Sequence, residues 1–241
     1  MSDVAEKFYK YDLTRKDSGY NPTFEINDQC RRSFLRGGRY SILTKFLDKN
    51  KYYDNIVEIG GAGGAHLAFL NNNYNFKDIT GIDLYVDENL KKHSKIKFFE
   101  GNFDGELPIK NNSVQFLVLM MVIEHLFDPF ENFKRINSLL RDDGIAFINV
   151  PLVTNLKNRI RLLFGKLPET SVSYKRWFEE LEYDGNHLHY FSFKSIKDLC
   201  EMANLEIIKY EYQGKFLTLK KLLPKLFCGE VSIALRKIKK S

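Results

Sequence analysis

The sequence lacks the features that mark several classes of protein. It has three cysteines, Cys30, Cys200 and Cys228, in 241 residues. Because they are odd in number and far apart, they predict neither a disulfide framework nor a metal site. No stretch is apolar over about eighteen residues, so no membrane span is expected. The first residues carry no apolar run behind basic ones, so we expect no secretory signal and a reducing cytoplasm as the location.

The net positive charge of the chain comes from its C-terminal end. The formal net charge is +6, yet the chain from Lys215 onward holds eight basic residues and one acid, which leaves −1 for the rest. A protein that binds nucleic acid across its surface spreads positive charge over its body, so no nucleic-acid partner is expected. The sequence predicts a neutral body with a basic end.

Short apolar segments alternate with helical ones over most of the chain. The predicted strands are 55–59, 78–82, 95–99, 114–120, 144–150, 206–212 and 231–238, and the predicted helices between them are 66–71, 129–140 and 195–203. This alternation predicts a parallel sheet with helices on both faces. The last two strands predict an antiparallel edge, which is common in mixed sheets.

No repeat, low-complexity segment or linker divides the chain, so a single domain over 1–241 is expected. Within it, residues 1–50 are predicted to form an N-terminal helical cap, with a helix over 28–49 that is interrupted at Gly37-Gly38. Residues 151–193 are predicted to form a lid. The basic amphipathic segments 156–167 and 217–227 are expected to pack on the body, and weak contact with an anionic membrane surface is the alternative.

A glycine-rich turn, Glu58–Gly64, lies between the first strand and its helix. Glycines there let the backbone turn tightly and let a ligand approach it. Asp83 ends the second strand, where a carboxylate can accept both hydroxyls of a ribose. The dinucleotide fingerprint fails from either start, because its third position falls on His66 or its second on Ala62. No Gly-Lys-Ser/Thr occurs, which excludes a phosphate-binding loop of the NTPase type.

The turn and the motifs after it resemble those of class I S-adenosylmethionine-dependent methyltransferases, particularly small-molecule enzymes of surface-polysaccharide pathways. The matching residues are Glu58, Gly60 and Gly64 of the acid-x-Gly-x-Gly-x-Gly turn, Asp83, Leu107-Pro108, Asn112-Ser113, Val122-Ile-Glu-His-Leu126 and the segment 140–145. Ala62 stands where the family has its middle glycine. The resemblance covers roughly residues 33–212.

The resemblance implies a Rossmann-like, doubly wound, mostly parallel sheet with an antiparallel C-terminal edge strand, and S-adenosylmethionine as cofactor. The cofactor-binding residues that it implies are Glu58, Gly60, Gly61, Gly64, Asp83, Leu84, Asn102, Phe103, Met120 and Arg39. Asn102 replaces the family's acid, and its carbonyl can accept a hydrogen bond from the adenine amino group. Arg39 or Arg36 is a candidate for the methionine carboxylate or a substrate phosphate, and a solvated basic face is the alternative.

Three histidines are candidates for the base that methyl transfer to a hydroxyl needs. His187 and His189 share one side if their segment is extended. His125 follows the fourth strand, at the edge where open α/β sheets bind ligands. A structural role is the alternative for each of them. We expect no metal site, although Asp184 lies close to two of the histidines.

Three functions remain open at this stage. The leading hypothesis is O-methylation of a small-molecule acceptor, a sugar, sugar nucleotide or lipid-linked sugar. An RNA or protein methyltransferase is less favoured, because the body is not basic and no Asn/Asp-Pro-Pro-Tyr follows the fourth strand. A non-catalytic cofactor-binding partner subunit is the third reading, which Ala62, Asn102 and Gln115 would support.

Overall fold

The computed structural model describes residues 22–61, 63–170, 187–213, 220 and 222–239. The strands in this part of the chain are β1 (Tyr52–Ile59), β2 (Asn75–Asp83), β3 (Ile96–Glu100), β4 (Val114–Met120), β5 (Leu140–Pro151), β6 (Leu205–Tyr212) and β7 (Glu230–Lys237). They form one seven-stranded sheet in the order β3-β2-β1-β4-β5-β7-β6.

Helices connect these strands. They are α1 (Asp28–Ser33), α2 (Ala65–Asn73), α3 (Pro129–Leu139), α4 (Leu156–Leu163), α5 (Phe193–Met202) and α6 (Pro224–Phe227). Three single 3₁₀ turns, Leu43–Lys45, Leu90–Lys92 and Ile123–His125, complete the regular structure of the described residues.

The strands β1 to β5 run parallel, and the sheet extends from β1 to both sides. β1 pairs with β2 on one side and with β4 on the other. The first half of the chain therefore extends the sheet through β3, and the second half extends it through β5. The carboxyl ends of β1 and β4 meet where the direction changes, which is the place where open α/β sheets bind ligands.

The predicted doubly wound, mostly parallel sheet with an antiparallel C-terminal strand is confirmed. The antiparallel strand β7 lies one place in from the edge, between β5 and β6. Its apolar run Val231–Leu235 is fully buried, as suits an interior strand. β6 alternates charged with apolar residues and is only partly buried, and charge is what protects an exposed sheet edge from pairing with other chains.

Two apolar layers, one on each face of the sheet, hold it together. On one face Phe133 and Ile136 of α3 pack over Leu117 and Leu119. α3 can begin where it does because the Asp128 side chain accepts hydrogen bonds from the first helical amides, and proline follows it at the first helical position. On the other face the buried side chains include Ile56, Leu67, Leu70, Val118 and Phe147.

The long N-terminal helix predicted over 28–49 is wrong in its extent. α1 ends at Ser33, and turns follow until the 3₁₀ turn at Leu43. Gly37 has a φ of +89°, and a Cβ on Gly38 would lie 2.3 Å from the Ser33 carbonyl oxygen. The glycine pair thus folds the chain back on α1 instead of kinking a helix. This reversal carries Tyr40 into the core.

The basic segment 156–167 does not pack on the body as expected. α4 buries Asn158 but exposes its apolar side chains, including Leu163 at 79% and Phe164 at 73%. Of the other basic segment, residues 217–219 and 221 lie outside the described residues, as do 171–186 of the predicted lid. Among the described helices, none combines the length and the apolar character that crossing a membrane requires.

Candidate functional site

The glycine turn after β1 needs glycine at two positions. Gly60 has a φ of +74°, and a Cβ there would lie 2.7 Å from Val122 Cγ2. Gly64 has a φ of +73°, and a Cβ there would lie 2.7 Å from the Phe24 ring. L-residues with side chains rarely adopt this backbone conformation. The Gly60 amide donates to the Ile82 carbonyl at 2.8 Å, which ties the turn to the end of β2.

Glu58 places a buried carboxylate directly beneath this turn. Its side chain is 1% exposed, and Oε1 accepts a hydrogen bond from the Tyr40 hydroxyl. Oε2 is buried without a hydrogen-bond partner, and a Cβ on Gly61 would lie 3.2 Å from it. Burial raises the Glu58 pKa to about 7, with Tyr40 opposing the rise and Asp83 adding to it. A cationic group of a ligand at the turn would satisfy Oε2.

Tyr40 is a part of this site that the sequence did not reveal. Its ring stacks on His66 of α2, with the centroids 4.1 Å apart and the planes at 11°. Phe34 stacks in turn on Phe69 at 4.0 Å. Burial lowers the His66 pKa to about 4, so this ring is neutral in its aromatic setting. The stack fixes the hydroxyl that orients Glu58, and no spacing in the sequence links residues 40 and 58.

Asp83 lies beside the turn, at the carboxyl end of β2. It is 4% exposed, and its Oδ1 accepts a hydrogen bond from the Leu84 amide at 2.8 Å. Its carbonyl accepts from the Gly101 amide at 2.9 Å, which fixes the loop after β3. The structure thus brings together Glu58, the turn and Asp83, which the sequence predicted as the core of a cofactor site.

The remaining predicted cofactor residues differ in their burial and in the protein groups that they contact. Asn102 is half-buried, and its Oδ1 accepts from the Asp104 amide at 2.9 Å. The Phe103 side chain is 3% exposed and belongs to the core. Met120 is partly buried at the end of β4. Arg39, predicted to bind an anionic group, donates from Nε to Glu230 at 3.0 Å.

A second cluster forms in the 3₁₀ turn after β4, around the carboxylate of Glu124. This side chain is 0% exposed, and among the described residues neither of its oxygens has a hydrogen-bond partner. Burial raises its pKa to about 8. Its carbonyl accepts hydrogen bonds from the amides of Leu188 at 2.9 Å and His189 at 3.2 Å. These two bonds anchor the segment that carries the predicted histidines against the turn.

Two of the three predicted histidines converge on Glu124. The Nε2 of His187 lies 3.9 Å from Glu124 Oε1, and its Nδ1 lies 2.6 Å from the hydroxyl of Thr170. The rings of His125 and His187 are 4.8 Å apart and nearly perpendicular. His189 is held apart from them, with its Nε2 3.0 Å from the Phe127 carbonyl.

The ligand atoms of Glu124, His125 and His187 all lie within 4.8 Å of one another, a set that could hold a metal ion. The sequence predicted no metal, and it considered only Asp184 as a carboxylate partner for the histidines. Asp184 lies outside the described residues. The adjacent Glu124-His125 pair was the signal in the sequence that a carboxylate and an imidazole share this turn.

The two clusters lie next to each other because β1 and β4 are neighbours. Val122, two residues before Glu124, packs so close to Gly60 that a Cβ on the glycine would collide with it. The structure therefore places the buried carboxylate of the turn and the acid–imidazole group at the same edge of the sheet. The buried, unpartnered Glu58 Oε2 and the close-packed glycine backbone fit the amino group and chain of S-adenosylmethionine.

Fold and turn therefore define a class I S-adenosylmethionine-dependent methyltransferase. The family model described as "Methyltransferase domain" matches residues 31–210, and the chain belongs to this family. It is a transferase and uses S-adenosylmethionine. A comparison with curated proteins found no match.

Solved structures share the fold at low sequence identity. One is a chain of the Haloferax volcanii complex between the Trm112 methyltransferase activator and a methyltransferase, with 14% identity, a TM-score of 0.65, and coverage of 98% of this chain and 100% of that one. Another is the Burkholderia thailandensis 1,6-didemethyltoxoflavin-N1-methyltransferase with bound S-adenosylhomocysteine, with 13% identity, a TM-score of 0.60, and coverage of 98% and 88%. A Mesorhizobium loti S-adenosylmethionine-dependent methyltransferase has 11% identity, a TM-score of 0.59, and coverage of 83% and 97%.

Proposed function

We propose that this enzyme methylates a hydroxyl oxygen of a small molecule, a sugar or a sugar nucleotide. The observation that carries the proposal is the group formed by Glu124, His125 and His187 beside the glycine turn. Methyl transfer to a hydroxyl needs a way to remove its proton, and imidazoles beside a carboxylate provide one near neutral pH. The sugar class is supported by the resemblance to polysaccharide-pathway enzymes.

The donor is held by residues at the ends of β1 and β2. S-adenosylmethionine supplies a methyl group on a positively charged sulfur. Glu58 binds the methionine amino group through Oε2, the carboxylate oxygen that lacks a protein partner. Asp83 accepts hydrogen bonds from the ribose hydroxyls. Gly60 and Gly61 keep the backbone open to the ligand, since a side chain at either would collide with Val122 or crowd Glu58.

The acceptor side lies between the turn after β4 and the segment that begins at His187. The backbone bonds from Leu188 and His189 to the Glu124 carbonyl hold these two elements together. This arrangement orients the acceptor hydroxyl toward the donor site and keeps the imidazoles in place without reorganisation. A small-molecule acceptor is also supported by the fold-level similarity to the toxoflavin-pathway enzyme and by the neutral body of the chain.

Calorimetry on the purified chain tests the donor half of this proposal. We expect S-adenosylmethionine and S-adenosylhomocysteine to bind at micromolar affinity and NAD, the control, not to bind. Sugar nucleotides are then screened with S-adenosylmethionine that carries a labelled methyl group. Donor binding without turnover on sugars, but with turnover on RNA or protein, would move the acceptor to another class. Failure of both donor ligands to bind would favour the non-catalytic partner subunit.

A further inference from the structure

Glu124 is a buried carboxylate with few partners. Its side chain is 0% exposed, and within the described part of the chain neither oxygen has a hydrogen-bond partner of good geometry. The His187 Nε2, at 3.9 Å from Oε1, is beyond hydrogen-bond range. Arg39 lies near Glu124, but its Nε already pairs with Glu230 at 3.0 Å. The two side chains of this pair act on Glu124 with opposite charges. A carboxylate buried in this way keeps its charge only beside a cation, so the surroundings of Glu124 suit a bound positive ion.

From this arrangement we infer that Glu124, His125 and His187 form a binding site for one divalent transition-metal ion of the Zn²⁺ type. The three ligand atoms lie within 4.8 Å of one another. Zn²⁺ at about 2.1 Å from each ligand atom holds a tetrahedral pair roughly 3.4 Å apart. The 3.9 Å separation of Oε1 and Nε2 would therefore close by about half an ångström when the ion binds, and a pair at the 4.8 Å limit would close by about 1.4 Å, which requires side-chain rotations.

The contact of His187 with Thr170 allows the tautomer that this role needs. Its Nδ1 lies 2.6 Å from the Thr170 hydroxyl, on the side of the ring away from Glu124. When Nδ1 carries the proton and donates to that hydroxyl, Nε2 keeps its lone pair for the ion. A hydrogen bond from the second ring nitrogen is what orients metal-binding histidines in proteins. Two imidazoles and one carboxylate also select a borderline ion such as Zn²⁺ over Mg²⁺ or Ca²⁺, which prefer oxygen ligands.

The site is held rigidly enough to exist before the ion binds. Glu124 and His125 share one 3₁₀ turn, and His187 is fixed to that turn because the next two amides donate to the Glu124 carbonyl. Three protein ligands leave at least one coordination position open. Resting on the proposed function, an acceptor hydroxyl would occupy that position. Because both imidazoles would then be engaged by the ion, the ion would replace them as the group that makes the hydroxyl acidic, and the proton would pass to solvent water.

Titration of untagged, chelator-treated full-length chain with Co²⁺ and Zn²⁺ tests this inference. We expect one ion per chain, with a visible Co²⁺ spectrum that differs from that of the aqueous ion. Glu124→Gln keeps the shape of the side chain and removes its charge. Glu124→Gln and His125→Gln, each as a single variant, should weaken binding about tenfold or more. His189→Gln is the matched control from the same segment, and its affinity should stay within about threefold of the parent.

Two outcomes overturn the site. One is the absence of saturable binding by the parent chain, and the other is unchanged affinity in Glu124→Gln, which would assign the ion elsewhere. If the variants fail to fold, X-ray absorption on the Zn²⁺-loaded parent decides, because sulfur ligands would assign the ion to the cysteines, whereas nitrogen and oxygen ligands support this site. The titration contains neither donor nor acceptor. Its failure therefore leaves donor binding intact, and failure of the methyl-transfer proposal leaves ion binding intact.

Discussion

Glu58 makes the stability of this protein depend on pH in a way that one substitution isolates. Its carboxyl has a pKa of about 7 in the folded chain, against an ordinary value of 4.5. The folded state therefore favours the protonated form, and the stability that this contributes is fully present below pH 4.5 and is lost as pH rises through 7. The whole shift corresponds to about 3 kcal/mol.

Glu58→Gln should remove this dependence. Glutamine keeps the oxygen that accepts from Tyr40 and cannot ionise. The difference in unfolding free energy between the variant and the parent should therefore shift by about 2–3 kcal/mol in favour of the variant from pH 5 to pH 8. Taking this difference cancels the contribution of every other titrating group, as long as the rest of the fold is unchanged.

Urea titrations of both proteins at four pH values between 5 and 8, without S-adenosylmethionine, measure the effect. In thermal melts the same change corresponds to roughly 5–10 °C for a chain of this size. Parallel stability curves, whose difference is the same at every pH, would falsify the reasoning. They would show that Glu58 ionises in the folded chain as easily as in water and that the substitution acts through packing alone.

The remaining predictions concern the turn, the ribose site and the histidine cluster. Asp83→Ala should weaken S-adenosylmethionine binding at least tenfold, or about 1.4 kcal/mol, in calorimetry; a folded variant with unchanged affinity would remove the ribose role. Gly60→Ala should lower the unfolding free energy by about 1–3 kcal/mol in urea, because its φ is +74° and its Cβ meets Val122; a smaller loss would show that the turn relaxes easily. His187→Ala should abolish methyl transfer in a labelled-donor assay and leave donor affinity intact, whereas full activity would move the role to His189 or His125.

The sheet could be predicted from sequence because its signals are local. Runs of apolar residues such as 114–120 are buried on both faces, and the structure gives this strand the predicted bounds. The N-terminal region could not be predicted in the same way. Helical spacing continues past Gly37-Gly38, and what ends the helix is the close approach of Gly38 to the Ser33 carbonyl, a contact that depends on the backbone path.

The candidate site also has residues that local sequence signals identify and residues that only the folded chain brings together. Glu58, the glycines and Asp83 were identified because each lies at or just after the carboxyl end of a strand, and these ends meet at the same sheet edge. Tyr40 was missed, since its contact with Glu58 depends on how the N-terminal turns fold back on α2. The partnership of Glu124 with His187 spans more than sixty positions, and it forms through backbone bonds that carry no sequence signature.

Two buried carboxylates with unsatisfied oxygens lie on adjacent strand ends, and both face the same ligand-binding edge. Burying one carboxylate oxygen without a hydrogen-bond partner lowers the stability of the fold considerably. Two such groups at one edge suggest a common reason. The two proposals would supply it, with the methionine amino group at Glu58 and a divalent ion at Glu124. Because Val122 packs close to Gly60, a donor at the first carboxylate would then lie near an acceptor at the second. Each ligand restores part of the stability that the empty fold gives up, which is the expected relation between a preorganised site and the groups that it holds.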